Sequence, residues 1–155
     1  MDYPAEHNNY LFEHVCDLAT SYQQLLGKSL YPAADGTDDF AKRLFHAPFA
    51  LVSHDTASDP TFNYANLQAM ELFELDWQNF TRLPSRLSAE PINQSTREQL
   101  LAKVSQHGYI DDYEGVRISS TGKRFVIKNA TVWNVFNPNG TPKGQAAILR
   151  EWAFL

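Results

Sequence analysis

The stretch from Arg124 to Phe136 limits what this chain can fold into more than any other. Thr121-Gly122-Lys123 precedes it and Asn137-Pro138-Asn139-Gly140 follows it, tracts whose residues adopt turn dihedrals at little cost. Between these turns Phe125, Ile127, Trp133 and Val135 fall at one parity, and Val126, Ala130, Val132 and Phe136 at the other. A strand alternates its side chains from face to face, so apolar residues at both parities demand cover on both sides. With a strand starting near Tyr109 before it and another reaching Trp152 after it, the C-terminal third reads as an antiparallel meander and the rest of the chain as its cover.

The cover is helical at the N-terminus. From Glu6 to Leu26, the residues Leu11, Val15, Leu18, Tyr22 and Leu25 recur at steps of four and three, the stripe of an amphipathic helix that stops near Gly27. A loop through Pro32 and Gly36 leads to a short helix from Asp38 to about Phe45, with Thr37 placed to cap it. Ala50 to His54 and Thr61 to Tyr64 form a hairpin around the turn-rich Asp55 to Pro60. Asn66 and Asp76 then cap two short helices carrying Leu67, Met70 and Phe73, then Trp77 and Phe80, and Ser95 with Glu98 stands at capping-box spacing before a helix that Gly108 ends. The order predicts an α+β domain with a five-stranded antiparallel sheet, short helices on one face and an N-terminal helical arm over residues 1–43; residues 44–155 form the domain proper.

Composition narrows the function. A chain of 155 residues with 43% hydrophobic and 13% aromatic content can bury a real core. Asp and Glu outnumber Lys and Arg 18 to 13, so no basic surface offers itself to a phosphate backbone and no nucleic-acid partner is expected. A single cysteine, Cys16, excludes an intramolecular disulfide and suits a reducing compartment. No apolar run approaches the ~20 residues of a membrane helix, so the expected location is the cytoplasm.

Several short motifs carry a family resemblance: Phe62-Asn63-Tyr64-Ala65-Asn66 leading to Leu72-Phe73, then Leu83-Pro84-Ser85-Arg86, Tyr113-Glu114-Gly115-Val116-Arg117-Ile118, Gly122-Lys123-Arg124-Phe125, Val132-Trp133-Asn134 and Gly144-Gln145-Ala146-Ala147. In this order they resemble the MEKHLA domain, a PAS-like family, over roughly Leu44 to Trp152. The resemblance implies a PAS-type sheet whose inner face and flanking helices enclose a small cavity able to hold haem, a flavin, a small acid or nothing.

The residues weigh against the first two. Photochemistry with a flavin needs a cysteine near the ring, and Cys16 lies on the arm. His107, the best axial ligand for haem, sits where a helix C-terminus favours it anyway. His7, His14 and Cys16 make a poor metal set. Gly27-Lys28-Ser29 lacks the first glycine and the preceding strand of a phosphate-binding loop.

Asn129 and Thr131 share the parity of Phe125 and Trp133, so strict alternation sends an amide and a hydroxyl into an apolar cavity, where they require partners or a ligand. Phe73, Trp77 and Phe80 are expected to face Trp133 across that cavity, and Arg86 to reach an anionic ligand. The expected function is therefore small-molecule sensing or protein interaction without catalysis, in a homodimer paired through the N-terminal helices and signalling to a further protein. An α+β enzyme using His54 and Asp55, or Asp112 and Glu114, is the alternative. A purely structural dimerisation module is the third.

Overall fold

The computed structural model describes residues 2–155. Its helices are α1 (Phe12–Leu26), α2 (Phe40–Phe45), α3 (Leu67–Phe73), α4 (Trp77–Phe80) and α5 (Pro91–His107). Its strands are β1 (Ala50–His54), β2 (Phe62–Ala65), β3 (Tyr109–Ile118), β4 (Arg124–Phe136), β5 (Pro142–Leu149) and β6 (Glu151–Phe154). The sheet runs β2-β1-β5-β4-β3, all antiparallel, which is the five-stranded α+β arrangement expected. The last strand of the meander is broken at Arg150: β5 pairs with the C-terminal half of β4 and β6 with the N-terminal half, in one continuous register.

Local chemistry accounts for the boundaries. Asn66 caps α3 through its side-chain oxygen, which also accepts the Leu51 N–H, while its amide donates to the Leu44 and Phe49 carbonyls. One buried asparagine thus ties α2, β1 and α3 together. Asp76 caps α4 by accepting from the Asn79 N–H. Pro91 opens α5, a position where its missing N–H costs nothing, so the helix starts before the expected Ser95 box. Residues Asn9, Tyr10 and Leu11 adopt positive φ and separate a 3-10 segment (Glu6–Leu11) from α1, where periodicity alone predicts one continuous helix.

The sheet is covered on both faces. Its inner face meets α3, α4 and α5, with Phe73 edge-on to Phe125 and to Phe80, and Val132 packed with Leu100 and Val104. Its outer face meets α1, whose Val15, Leu18 and Tyr22 are fully buried. Trp133 lies under α1: its ring stands edge-on to Tyr22 at 4.9 Å, and its indole N–H donates to the Leu18 carbonyl at 3.1 Å.

The switch of face along β4 is the main departure from the sequence expectation. Phe125 and Ile127 point inward as read, but Asn129 sits in a left-handed conformation with φ of 51°, opposite a β3 that is itself bulged around Asp112. One extra residue in a strand moves every later side chain to the other face. Thr131 and Trp133 consequently face α1, and Val132 turns inward.

Candidate functional site

The inner face and α5 enclose a cavity of about 50 Å³. Its walls are mostly apolar: Phe62 and Phe73 on one side, Leu100 and Leu101 from α5, Ile127 and Val132 from β4. By the yardstick of roughly 10–15 Å³ per enclosed water, it holds a few waters or a group of a few heavy atoms. Beside it lies a more open cleft of about 410 Å³, and His54 and Gln145 line both, forming the partition between them.

Six polar residues that line the cavity are more than nine-tenths buried: Ser53, whose hydroxyl turns to His14 and Asn63, Ser88, whose hydroxyl donates to the Ser85 carbonyl, and His54, Arg97, Arg117 and Gln145. Gln145 is well satisfied. Its amide donates to the Leu101 carbonyl, the Ser105 hydroxyl and the Asn134 side-chain oxygen, joining β5, β4 and α5. His54 has its Nδ1 on the Asp55 carbonyl at 2.9 Å; its Nε2 is buried and makes no hydrogen bond of good geometry among the described residues, with the Gln145 side chain its polar neighbour. Burial pulls its pKa below the ordinary histidine value, so the ring is neutral at pH 7.

The two arginines are less well provided for. Arg117 donates to the carbonyl of its own neighbour, Val116, and lies over the Tyr113 ring at 5.7 Å. Arg97, on the same helical face as Leu100 and Val104, makes no hydrogen bond or ion pair with any described residue. Burial first, and then the neighbouring Arg117 charge, lower its pKa to about 10, which still leaves it protonated at neutral pH. No carboxylate among the described residues lines the cavity.

The residues singled out from sequence are distributed differently. Phe73 lines the cavity, and Phe80 packs behind it against Phe62 and Phe73. Trp77 packs edge-on to Tyr64 and Tyr3, at the β2 side of the sheet. Arg86 is half exposed and paired with Asp59 at 3.1 Å, tying its turn to the β1-β2 loop.

Asn129 is exposed on the bulge, and Thr131 and Trp133 lie on the outer face, away from the cavity. There the Thr131 hydroxyl donates to Asp111, while Arg150 donates to the Thr131 oxygen, the Asn129 carbonyl and the Tyr22 hydroxyl. The Thr131 hydroxyl that parity sends into the cavity is satisfied instead by a network under α1, and the Asn129 side chain is exposed.

The candidate acid-base residues do not assemble. The Asp55 carboxylate turns away from His54 to accept the Ala57 and Thr61 N–H groups, and Asp112 and Glu114 are exposed on β3. His107 is exposed at the end of α5. Among the described residues no three His, Cys, Asp or Glu side chains gather as a metal site, and no helix is long and apolar enough to cross a membrane.

A second polar cluster lies between α1 and the outer face. Lys143 donates to Asp17 at 2.8 Å and to His14 Nδ1 at 3.3 Å, His14 Nε2 meets the Ser53 hydroxyl at 3.0 Å, and Ser53 donates to Asn63. With Lys143 donating to Nδ1, His14 is neutral and carries its proton on Nε2. Burial and the Lys143 charge, opposed by Asp17, lower its pKa to about 4.

A sheet ordered β2-β1-β5-β4-β3, with α3, α4 and α5 on one face and α1 on the other, a bulged central strand and a cavity beneath α5, can be set beside known proteins. The model of the MEKHLA domain matches residues 12–154. The chain belongs to the MEKHLA domain family. Its sequence is 27% identical over 146 residues to the homeobox-leucine zipper protein ATHB-9 of Arabidopsis thaliana. That match takes in 89% of this chain and only 17% of the plant protein.

Among solved structures, this MEKHLA domain is similar to the PAS domain of a protein from Colwellia psychrerythraea, at a TM-score of 0.62 and 16% identity, covering 72% of this chain and 92% of that one. It is similar to an RNA-binding light-oxygen-voltage receptor, at 0.59 and 16%, covering 79% and 34%. It is also similar to the blue-light photoreceptor Vivid, at 0.55 and 16%, covering 66% and 78%. These likenesses establish a PAS-like fold. A flavin does not fit the cavity found here: about 50 Å³ has room for a group of a few heavy atoms and not for a fused three-ring system, and Cys16 lies on α1, across the sheet from it.

Of the polar lining, Arg117 and Gln145 stand in the family motifs without being expected at the site, and Arg97 stands in neither the motifs nor the expectations. Arg97 was legible, because it stands three and seven residues before Leu100 and Val104 and so shares their helical stripe. Arg117 becomes legible only from its pairing with the inward Phe125.

Proposed function

We propose that this MEKHLA domain senses a small organic molecule, which enters the cavity between the inner sheet face and α5, and signals to a protein partner without catalysis of its own. The observation that carries the reading is the Nε2 of His54 at the cavity wall, a buried polar atom without a hydrogen bond of good geometry among the described residues, an isolation that costs roughly 1–3 kcal/mol. A bound molecule repays that cost. Gln145 supplies the coupling, since a ligand that competes for its amide loosens the ties from β5 to Leu101 and Ser105 of α5. Non-catalytic binding is favoured over acid-base chemistry because the Asp55 carboxylate is committed to its loop and leaves His54 without an acidic partner.

The same proposal includes a homodimer through the outward side of α1, where Phe12 is 40% exposed, and a cytoplasmic location, which suits one unpaired cysteine. The test is denaturing mass spectrometry and an absorption spectrum of the freshly purified protein, followed by a thermal-shift screen of metabolite-sized compounds. Sensing predicts a carried-over molecule or a saturable rise in melting temperature that His54→Phe abolishes. Absence of both would leave the structural dimerisation module as the better reading.

A further inference from the structure

The two buried arginines specify what the cavity takes. In an acidic chain with 18 carboxylate side chains, neither Arg97 nor Arg117 is given one, although each is more than nine-tenths buried on the wall of the same cavity. Other arginines here do find acids: Arg43 pairs with Asp39, Arg86 with Asp59 and Arg124 with Glu90, all at the surface. Buried guanidinium groups are ordinarily paired or hydrogen-bonded, because the cost of removing a charge from water is recovered only through a partner. The two repel each other, the Glu98 charge offsets this for Arg97 only from outside the cavity wall and without an ion pair, and an anion placed between the two guanidinium groups relieves the arrangement. The apolar part of the wall, Phe62, Phe73, Leu100, Ile127 and Val132, suits an apolar body and does not suit a fully hydrated ion.

We propose that the ligand is a small monocarboxylate with a short apolar body, its acid group held by Arg97 and Arg117 and its carbon chain lying against Phe73 and Ile127. This rests on the sensor reading and adds the chemical class. Arg97 and Arg117 act as recognition forks, matching the two carboxylate oxygens in a way a lysine cannot. His54, neutral and with no well-formed hydrogen bond at Nε2 among the described residues, stands at the partition toward the open cleft, where an acid longer than the cavity would extend past it.

The test is isothermal titration calorimetry and thermal shift on the full chain at constant ionic strength, using propionate and isovalerate beside propionamide and isovaleramide, with inorganic phosphate as a further probe. The expected result is saturable binding of the acids, at least tenfold weaker binding of the amides, and weaker binding of phosphate. Arg97→Met and Arg117→Met should each reduce acid affinity tenfold or more. Arg97→Met should also raise the melting temperature of the ligand-free protein, since it replaces an unpaired buried charge with an apolar chain of similar length. Arg97→Lys keeps the charge without the fork and should bind at least tenfold more weakly even if the methionine variant does not fold. Equal binding of acids and amides, unaffected by either variant, overturns the carboxylate assignment while leaving the cavity a ligand site. Tighter binding of phosphate than of isovalerate overturns the apolar body. If neither acids nor amides bind and a broad neutral screen is also silent, the assignment falls together with the sensor reading.

Discussion

His14 makes the stability of this protein depend on pH, and the structure sets the sign and the size. Its imidazole is sandwiched between α1 and the outer face, with Lys143 at Nδ1 and Ser53 at Nε2. Protonation would put a second donor against the Lys143 ammonium, and burial and that charge lower the pKa to about 4 from 6.5. In the unfolded chain His14 titrates near 6.5, so below that pH the unfolded state binds a proton that the folded state refuses. The stabilisation from neutral His14 is therefore complete above about pH 6.5, declines as the pH falls, and is exhausted near pH 4. At ~1.4 kcal/mol per pH unit the whole span corresponds to about 3 kcal/mol. That is a large part of the ~5–15 kcal/mol by which a domain is stable, and it translates to roughly 6–12 °C in melting temperature.

Urea unfolding followed by tryptophan fluorescence between pH 7.5 and 4.5 measures this effect, because Trp133 lies beneath the same helix. The comparison is His14→Gln, which can still hydrogen-bond Ser53 but does not titrate. His54, whose pKa is also lowered, contributes equally to both proteins, so the difference between the two pH slopes isolates His14. Wild type should lose stability more steeply than the variant from pH 6.5 downward. Parallel slopes, or an NMR titration of His14 with a midpoint near 6.5, would refute the reasoning.

The bulge at Asn129 gives a second prediction: Asn129→Gly should be neutral or slightly stabilising in chemical denaturation, while Asn129→Val should cost about 1–2 kcal/mol, because a β-branched residue resists φ of 51°. At Gly144, with φ of 138°, an added Cβ would lie 1.8 Å from the His54 carbonyl oxygen, so Gly144→Ala should disrupt the β1-β5 pairing and leave the protein largely insoluble on expression. Trp133→Phe keeps a ring under α1 but loses the hydrogen bond to Leu18, and should lower stability by about 1–2 kcal/mol without affecting ligand binding in the cavity. Removing residues 1–27 should bare the Trp133 face and produce aggregation, which light scattering would register; a truncated chain of unchanged size and melting temperature would contradict the covering role of α1.

Sequence alone determined the elements of this protein, and with them the fold class. The turns around Arg124 to Phe136, the Asn66 and Asp76 caps, the stop at Gly108 and the stripe of α1 are local signals, set by dihedral preference and helical or strand period over a few residues. Two faces of apolar residues on one strand likewise announced cover on both sides.

What the tertiary structure decided was which residue faces which cover, and there lay the candidate site. A strand read at strict period two sends Asn129, Thr131 and Trp133 to the side of Phe125. The left-handed turn at Asn129 and the matching bulge around Asp112 in β3 shift the phase by one, an outcome that requires two strands to be paired before it exists. The break at Arg150 is of the same kind, since its guanidinium links the bulge carbonyl, Thr131 and Tyr22 from three segments distant in the chain. The unpaired charge of the cavity is also a tertiary fact: Arg97 and Arg117 are ordinary surface residue types in the sequence, and only the packing of α5 over the sheet buries them together on a wall to which the described residues give no carboxylate.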